Sequence, residues 1–166
     1  MKYRNILVPV DFSSNSIQAF EFAQQLARQN NSVLHIIHVI DPFIDVGYSS
    51  NSAYKENIIS MRVRNANEEL QKFIDEIPHP GINIVEVLKS GEPYEEILDY
   101  CRKQKIDLII IASHGWTGLY SLPMGNVAGK VMKYASVPVV CLKTINAILK
   151  KDSSKSKEIM AENWVG

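Results

Sequence analysis

The stretch Ile106-Asp107-Leu108-Ile109-Ile110-Ile111-Ala112-Ser113 is the most apolar part of this 166-residue chain. An unbroken aliphatic run of this length is typical of a strand buried on both faces, as in the middle of a parallel sheet covered by helices. Similar apolar or alternating runs predict four more strands, over 5–10, 32–39, 82–88 and 137–142.

Helical spacing of apolar residues separates these strands. It predicts helices from about 14 to 30, 54 to 76 and 125 to 135, and a further helix that begins at Gly91-Glu92-Pro93. Strands that alternate with helices indicate a parallel sheet with helices on both faces. The predicted fold is therefore α/β, with an open, Rossmann-like sheet of five parallel strands.

Length and charge narrow the class of protein. The length suits one domain, which we place at residues 1–144. Eighteen basic residues balance eighteen acidic ones. Proteins that bind nucleic acids or anionic membranes through general electrostatic attraction carry an excess of basic residues. This chain has no such excess, so we expect neither partner. The start of the chain does not read as a signal peptide, and no apolar run has the length of a membrane span, so we expect a cytoplasmic protein.

Residues 145–166 form a polar tail of different character. Its lysine- and serine-rich part, 150–157, has the composition of a linker. Two interpretations stay open. The tail is loosely attached, or Ile159, Met160 and Trp164 dock on the domain or on a dimer partner.

Candidate binding residues follow three of the predicted strands. Ligands of open parallel sheets bind beyond the carboxyl ends of the strands, where the strand order reverses. Three segments should meet there: Pro9-Val10-Asp11, Val39, and 112–127. Glycines between a strand and a helix let backbone amides approach an anion, and the helix start attracts negative charge. The last segment is thus a candidate phosphate site, although its glycines could equally serve turns alone.

The spacing of cysteines and histidines gives little support for metal binding or redox chemistry. The two cysteines, Cys101 and Cys141, form no Cys-x-x-Cys motif. His35 and His38 are three apart on a strand and so should face opposite sides of the sheet, which disfavours a shared metal. We assign neither a metal site nor a catalytic residue.

The same segments carry a family resemblance. The chain resembles the universal stress protein family in a set of landmarks that occur in the family's order: Val8-Pro9-Val10-Asp11, His38-Val39, Gly91-Glu92-Pro93, Ser113-His114-Gly115-Trp116-Thr117-Gly118, Gly125-Asn126-Val127 and Val137-Pro138-Val139-Val140. The resemblance covers about residues 2 to 143. It implies a five-stranded fold related to the adenine-nucleotide alpha hydrolases, and a homodimer joined through the last strand, Val137–Leu142.

The ATP-binding branch of this family has a loop of glycine, two residues, glycine, nine residues, glycine, and then serine or threonine. In this chain the loop begins at Ala112, keeps Gly115 and Gly125, and ends in Asn126. Alanine adds a methyl group, which matters little if φ is negative at Ala112 and costs energy if φ is positive. Asparagine replaces a hydroxyl by an amide but still suits a helix start.

By this resemblance the chain binds ATP or another adenine nucleotide, with or without Mg²⁺. The implied contacts are Pro9, Val10, Asp11, Val39, Ala112, His114, Gly115, Gly125, Asn126 and Val127. Asp11 would lie at the ribose, with Pro9 and Val39 at the sugar and base. Other roles stay open, since Asp11 could cap the first helix, His114 could stabilise a turn, and Val39 could be an ordinary strand-end residue.

We expect a regulatory, non-enzymatic stress-response protein whose dimer responds to the nucleotide. Two alternatives remain. One is a family member that has lost nucleotide binding and works through protein contacts, and the other is a slow ATPase.

Overall fold

The computed structural model of the protein describes residues 2–41, 52–114 and 124–143, with the side chains of 52–55 left out. It contains five strands and four helices in alternation: β1 (Asn5–Pro9), α1 (Ser14–Asn30), β2 (Val33–Ile40), α2 (Ser52–Asp75), β3 (Asn83–Ser90), α3 (Pro93–Lys103), β4 (Leu108–Ala112), α4 (Asn126–Tyr134) and β5 (Val139–Leu142). The predicted α/β fold is confirmed, with the ends of elements shifted by one or two residues. Gly115 and the tail, 145–166, lie outside the described residues.

The sheet is parallel throughout and has the order β3-β2-β1-β4-β5. The chain builds outward from β1 to β2 and β3, and then returns to the other side of β1 to add β4 and β5. The strand order therefore reverses between β1 and β4. In open α/β sheets this is where the carboxyl ends of two strands diverge and leave a crevice.

Helices cover both faces of the sheet, and the central strands supply both cores. Ile6 and Val8 pack with Phe20 of α1 and Ile74 of α2 on one face. Leu7, between them in sequence, packs into the opposite core beneath α3 and α4. All five of these residues are buried, as the continuous apolar pattern of β1 predicts for a strand covered on both sides.

Strand β4 starts at Leu108, two residues later than predicted, because the side chain of Asp107 binds backbone amides at the start of β1. Its Oδ2 accepts hydrogen bonds from the backbone amides of Arg4 at 2.7 Å and Asn5 at 2.9 Å. Its own amide donates to the carbonyl of Asn5 at 2.9 Å. Asp107 thus ties the start of β4 to the start of β1 at the amino edge of the sheet, opposite the crevice.

The described residues also bear on membranes and metals. None of the helices in these ranges is long and apolar enough to cross a membrane. The same ranges contain no group of three or more histidine, cysteine or acidic residues placed to hold a metal ion. His35 bonds to Tyr100 of α3, whereas His38 lies against Phe12, which packs on the α1–α2 core. The prediction that the two histidines face opposite sides is confirmed.

Candidate functional site

The turn after β1 is built around the carboxylate of Asp11. Its Oδ1 accepts hydrogen bonds from the Ser13 amide at 3.1 Å, the Ser13 hydroxyl at 2.6 Å and the Ser16 hydroxyl at 2.7 Å. Ser13 is itself the N-cap of α1 and accepts from the amide of Ser16 at 3.3 Å. The sequence left open that Asp11 caps the first helix. The N-cap residue is Ser13, and Asp11 contributes to capping indirectly, because its carboxylate holds the Ser13 side chain in place.

Phe12 follows in a backbone conformation that is rare for its residue type. Its φ is +63°, in the left-handed region, where a side chain costs about 1 kcal/mol or more. The ring lies 4.3 Å from the imidazole of His38, centroid to centroid, and 5.8 Å from the ring of Phe73 in the core. The turn is thus anchored to β2 and to α2 through one aromatic side chain.

The end of β4 is held by buried polar groups. Ser113 and His114 are 3% and 8% exposed, and the hydroxyl of Ser113 lies 3.0 Å from Nδ1 of His114. The carbonyl of His114 accepts from the side-chain amide of Asn15, itself buried in α1, at 2.9 Å. Asn15 therefore joins the two sides of the crevice, since α1 follows β1. This supports the structural role that the sequence left open for His114.

Gly125 brings the start of α4 against the end of β4. Its amide donates to the carbonyl of Ser113 at 2.7 Å. A Cβ built on Gly125 would lie 3.1 Å from that same carbonyl oxygen, which is closer than about nine in ten such contacts in proteins. Gly125 has an ordinary φ of −67°, so the position favours glycine for space and not for backbone conformation.

The N-cap residue of helix α4 is a glycine. Gly125 has no side chain with which to cap the helix, and Asn126 and Val127 form the first turn. Asn126 is exposed and Val127 half-buried. Amides at a helix start and the positive end of its dipole together favour an anion.

Ala112, which stands where the family's ATP-binding loop begins with glycine, introduces no backbone strain. Ala112 is the last residue of β4 and is absent from the positions with positive φ, so its methyl group adds no backbone strain. Of the other predicted contacts, Pro9 and Val10 are buried at the end of β1, and Val39 is half-buried near the end of β2. All three come from strand ends at the same edge of the sheet.

The first lysine of α4 is committed to a neighbouring helix. The Nζ of Lys130 lies 3.1 Å from the carboxylate of Glu92, the N-cap residue of α3, and 4.3 Å from the centroid of the Tyr94 ring. The pair is partly exposed, so it contributes little to stability. Its effect is to fix α4 against α3 and to hold this positive charge beside an acidic partner.

Both cysteine side chains are held as neutral thiols by their surroundings. Cys101 is buried in α3 and Cys141 is half-buried in β5. Burial raises the pKa of each thiol, with Arg102 lowering that of Cys101 by a smaller amount. A raised pKa means less thiolate, so neither cysteine has the character of a nucleophile.

Sequence reasoning missed three contributors to this edge: Asn15, Ser16 and His38 in its contact with the β1 turn. Asn15 and Ser16 lie within α1, where polar residues usually face solvent, yet both are buried. Their partners, His114 and Asp11, are 99 and 5 residues away. Only the short-range serine pattern after Asp11 could have been read from the chain.

The general class of this protein is defined by an open parallel α/β sheet whose strand order reverses between β1 and β4. Buried polar groups and Gly125 lie at the carboxyl ends of these two strands. The comparison with known families is more specific. The sequence model of the universal stress protein family matches residues 2–143, and the chain belongs to that family.

Known relatives agree with this membership. The chain is 30% identical to universal stress protein MJ0531 of Methanocaldococcus jannaschii over 142 residues, covering 85% of this chain and 82% of that protein. It is 25% identical to MJ0577 of the same organism over 161 residues, or 87% of this chain and 98% of the relative. The solved structure of MJ0577 matches with a TM-score of 0.77 at 26% identity, covering 88% and 99% of the two chains.

A second solved structure, the universal stress protein of Archaeoglobus fulgidus in complex with dAMP, matches with a TM-score of 0.58 at 26% identity. The match covers 85% of this chain and 98% of that one.

Proposed function

We propose that this universal stress protein binds an adenine nucleotide, ATP or a close analogue with or without Mg²⁺, in the crevice between β1 and β4. The observation that carries the proposal is the approach of Gly125 to Ser113, because it places the start of α4, whose N-cap residue has no side chain, beside the carboxyl end of β4. The relative from Archaeoglobus fulgidus, solved with dAMP, supports adenine nucleotides as the ligand class.

In this proposal the phosphates lie at the start of α4, near Asn126 and Val127, and the ribose lies by Asp11. Oδ1 of Asp11 already accepts three hydrogen bonds in its own turn. These bonds hold the carboxylate at the carboxyl end of β1, where it would accept a ribose hydroxyl. The alanine at 112 supports the proposal to the extent that its φ is not positive, so its methyl group adds no backbone strain at the end of β4.

We further propose a regulatory role without catalysis. The serine–histidine pair nearest the proposed phosphates, Ser113 and His114, is buried and internally bonded at 3.0 Å. A general base must reach the proton of the attacking water, and geometry decides this before pKa does. This pair is placed to hold the end of β4 instead, so ATP hydrolysis above a protein-free blank would contradict this part of the proposal.

A homodimer through β5 is also part of the proposal. Strand β5 lies at one edge of the sheet, and its four residues, Val139–Leu142, are all half-buried. An edge strand that is apolar and partly open can pair with another chain. We expect the mass of a dimer in light scattering. A wild-type monomer at micromolar concentration would contradict the dimer.

The direct test of nucleotide binding begins with the purified protein. Denaturation followed by chromatography should release an adenine nucleotide, and titration calorimetry of protein stripped of ligand should show binding of ATP, ADP or AMP. Absence of both released nucleotide and calorimetric binding would favour the alternative, a member of the family that works through protein contacts alone.

A matched pair of variants tests the placement of the ribose. Asp11→Asn keeps an oxygen for Ser13 and Ser16 but replaces the charged acceptor, so we expect nucleotide affinity to fall about tenfold, the lower end of the range for a hydrogen bond to a charged group. Asp107→Asn makes the same change at the opposite edge, where the carboxylate bonds Arg4 and Asn5. It should lower stability and leave affinity unchanged. Equal affinity of both variants would contradict the placement.

A further inference from the structure

His38 joins the two strand ends that carry the proposed ribose and base contacts. Its Nδ1 lies 2.9 Å from the carbonyl oxygen of Val10, the residue before Asp11. In sequence, His38 also directly precedes Val39 on β2. One side chain on β2 is therefore bonded to the turn that follows β1.

The hydrogen bond fixes the state of the imidazole. A carbonyl oxygen only accepts, so Nδ1 must carry a proton and donate it. In the neutral ring the proton is then on Nδ1, and Nε2 is left as an acceptor. The donor holds the backbone of Val10 directly before the carboxylate turn.

The ring has a second contact, with Phe12. The two ring centroids are 4.3 Å apart with an angle of 30° between the planes. Phe12 occupies its left-handed conformation directly after Asp11, and such strained positions persist only where the surrounding contacts hold them. His38 therefore bonds the residue before Asp11 and packs on the residue after it.

We propose that His38 is a positioning residue for the ribose and base end of the nucleotide site, acting through the Val10 carbonyl and the Phe12 ring. This inference rests on the proposed nucleotide binding. It does not extend to the phosphate end, which is formed by α4 and the end of β4. The effect of His38 on affinity is consequently independent of the number of phosphates.

Two substitutions separate its two contacts. His38→Asn places an amide nitrogen at the position of Nδ1, which keeps a donor for Val10 and removes the ring from Phe12. His38→Phe keeps the ring and removes the donor. His79 supplies the control, because its Nδ1 lies 2.9 Å from the carbonyl of Ile77 in the connection between α2 and β3, at the opposite edge.

Calorimetry with AMP, ADP and ATP at pH 8 tests the proposal, with folding of each variant checked by circular dichroism. We expect His38→Phe to raise Kd about fivefold, the equivalent of one hydrogen bond, and by the same factor for all three nucleotides. His38→Asn should raise Kd by a smaller, equally constant factor. His79→Phe should leave Kd unchanged. The ¹⁵N spectrum of the wild type should show His38 protonated at Nδ1.

The outcomes distinguish a failure of the positioning role of His38 from a failure of the proposed nucleotide binding on which it rests. If the wild type binds none of the three nucleotides, the proposed function fails and His38 has no ligand to position. If the wild type binds but the His38 variants bind equally well, the positioning role alone is wrong. It is also wrong if the loss grows from AMP to ATP, or if His79→Phe weakens binding as much as His38→Phe.

Discussion

Gly125→Val should weaken nucleotide binding by at least about tenfold and lower the free energy of unfolding by about 1–3 kcal/mol, the usual cost of overpacking. The reason is steric. A Cβ at this position lies 3.1 Å from the carbonyl oxygen of Ser113, and a backbone oxygen cannot turn aside as a flexible side chain can. The start of α4 must move away from β4, and its amides move with it. Calorimetry with ATP and urea denaturation measure the two effects.

Gly129→Ala is the matched control for this prediction. It lies on the same helix, but among the described residues its added methyl group would contact the Met124 sulfur at an ordinary 3.8 Å. Alanine favours a helix over glycine by about 0.8–1.0 kcal/mol, so this variant should be slightly more stable and bind as the wild type does. Tight binding by Gly125→Val, or equal losses in the two variants, would show that the approach of α4 to β4 does not form the phosphate site.

Most of the fold could be predicted because it depends on patterns that are local in sequence. In β1, Ile6 and Val8 pack into one core and Leu7 into the other, so the central positions of the strand are all apolar. Pro93 and the acidic residues after it mark the start of α3, as expected. The sequence predicts the start of β4 two residues too early because Ile106 extends the apolar stretch to the amino side of Asp107. Only the contacts of Asp107 with Arg4 and Asn5, more than a hundred positions away, show that the strand begins after it.

The candidate site was less accessible to sequence reasoning, for the same physical reason. The type of residue at Asp11 and Gly125 indicated a turn and a close approach, but not which group each would meet. The bond from Asn15 to His114 and that from His38 to Val10 join elements far apart in the chain. Neither pair has a characteristic spacing, so such contacts become visible only once the sheet has brought the strand ends together.

The buried pair His35 and Tyr100 leads to a prediction about pH. His35 lies between Leu7 of β1 and Val85 of β3 in the sheet, and its Nδ1 is 2.8 Å from the hydroxyl of Tyr100. Its Nε2 is buried and has no hydrogen-bond partner among the described residues. The titratable groups that α3 contributes to this core are Tyr94, Tyr100 and Cys101. Burial raises the pKa of the two buried groups, Tyr100 and Cys101, so both are neutral near pH 7.

Burial lowers the pKa of His35 below its ordinary value of about 6.5. The unfolded chain then takes up a proton at a higher pH than the folded protein does. Stability is unaffected by this group well above pH 6.5 and falls as the pH drops below it, until the lower pKa of the folded state is reached. The slope from one such proton is at most about 1.4 kcal/mol per pH unit.

Urea denaturation between pH 8 and pH 5 measures this dependence. Replacing both partners, as in His35→Leu with Tyr100→Phe, removes the titrating group without leaving an unpaired hydroxyl, and should remove that part of the slope. The single variant His35→Leu should be less stable than the double variant, because it leaves the Tyr100 hydroxyl buried and unpaired. If the double variant loses stability in acid as steeply as the wild type, the acid sensitivity comes from other groups and His35 stays accessible to protons in the folded state.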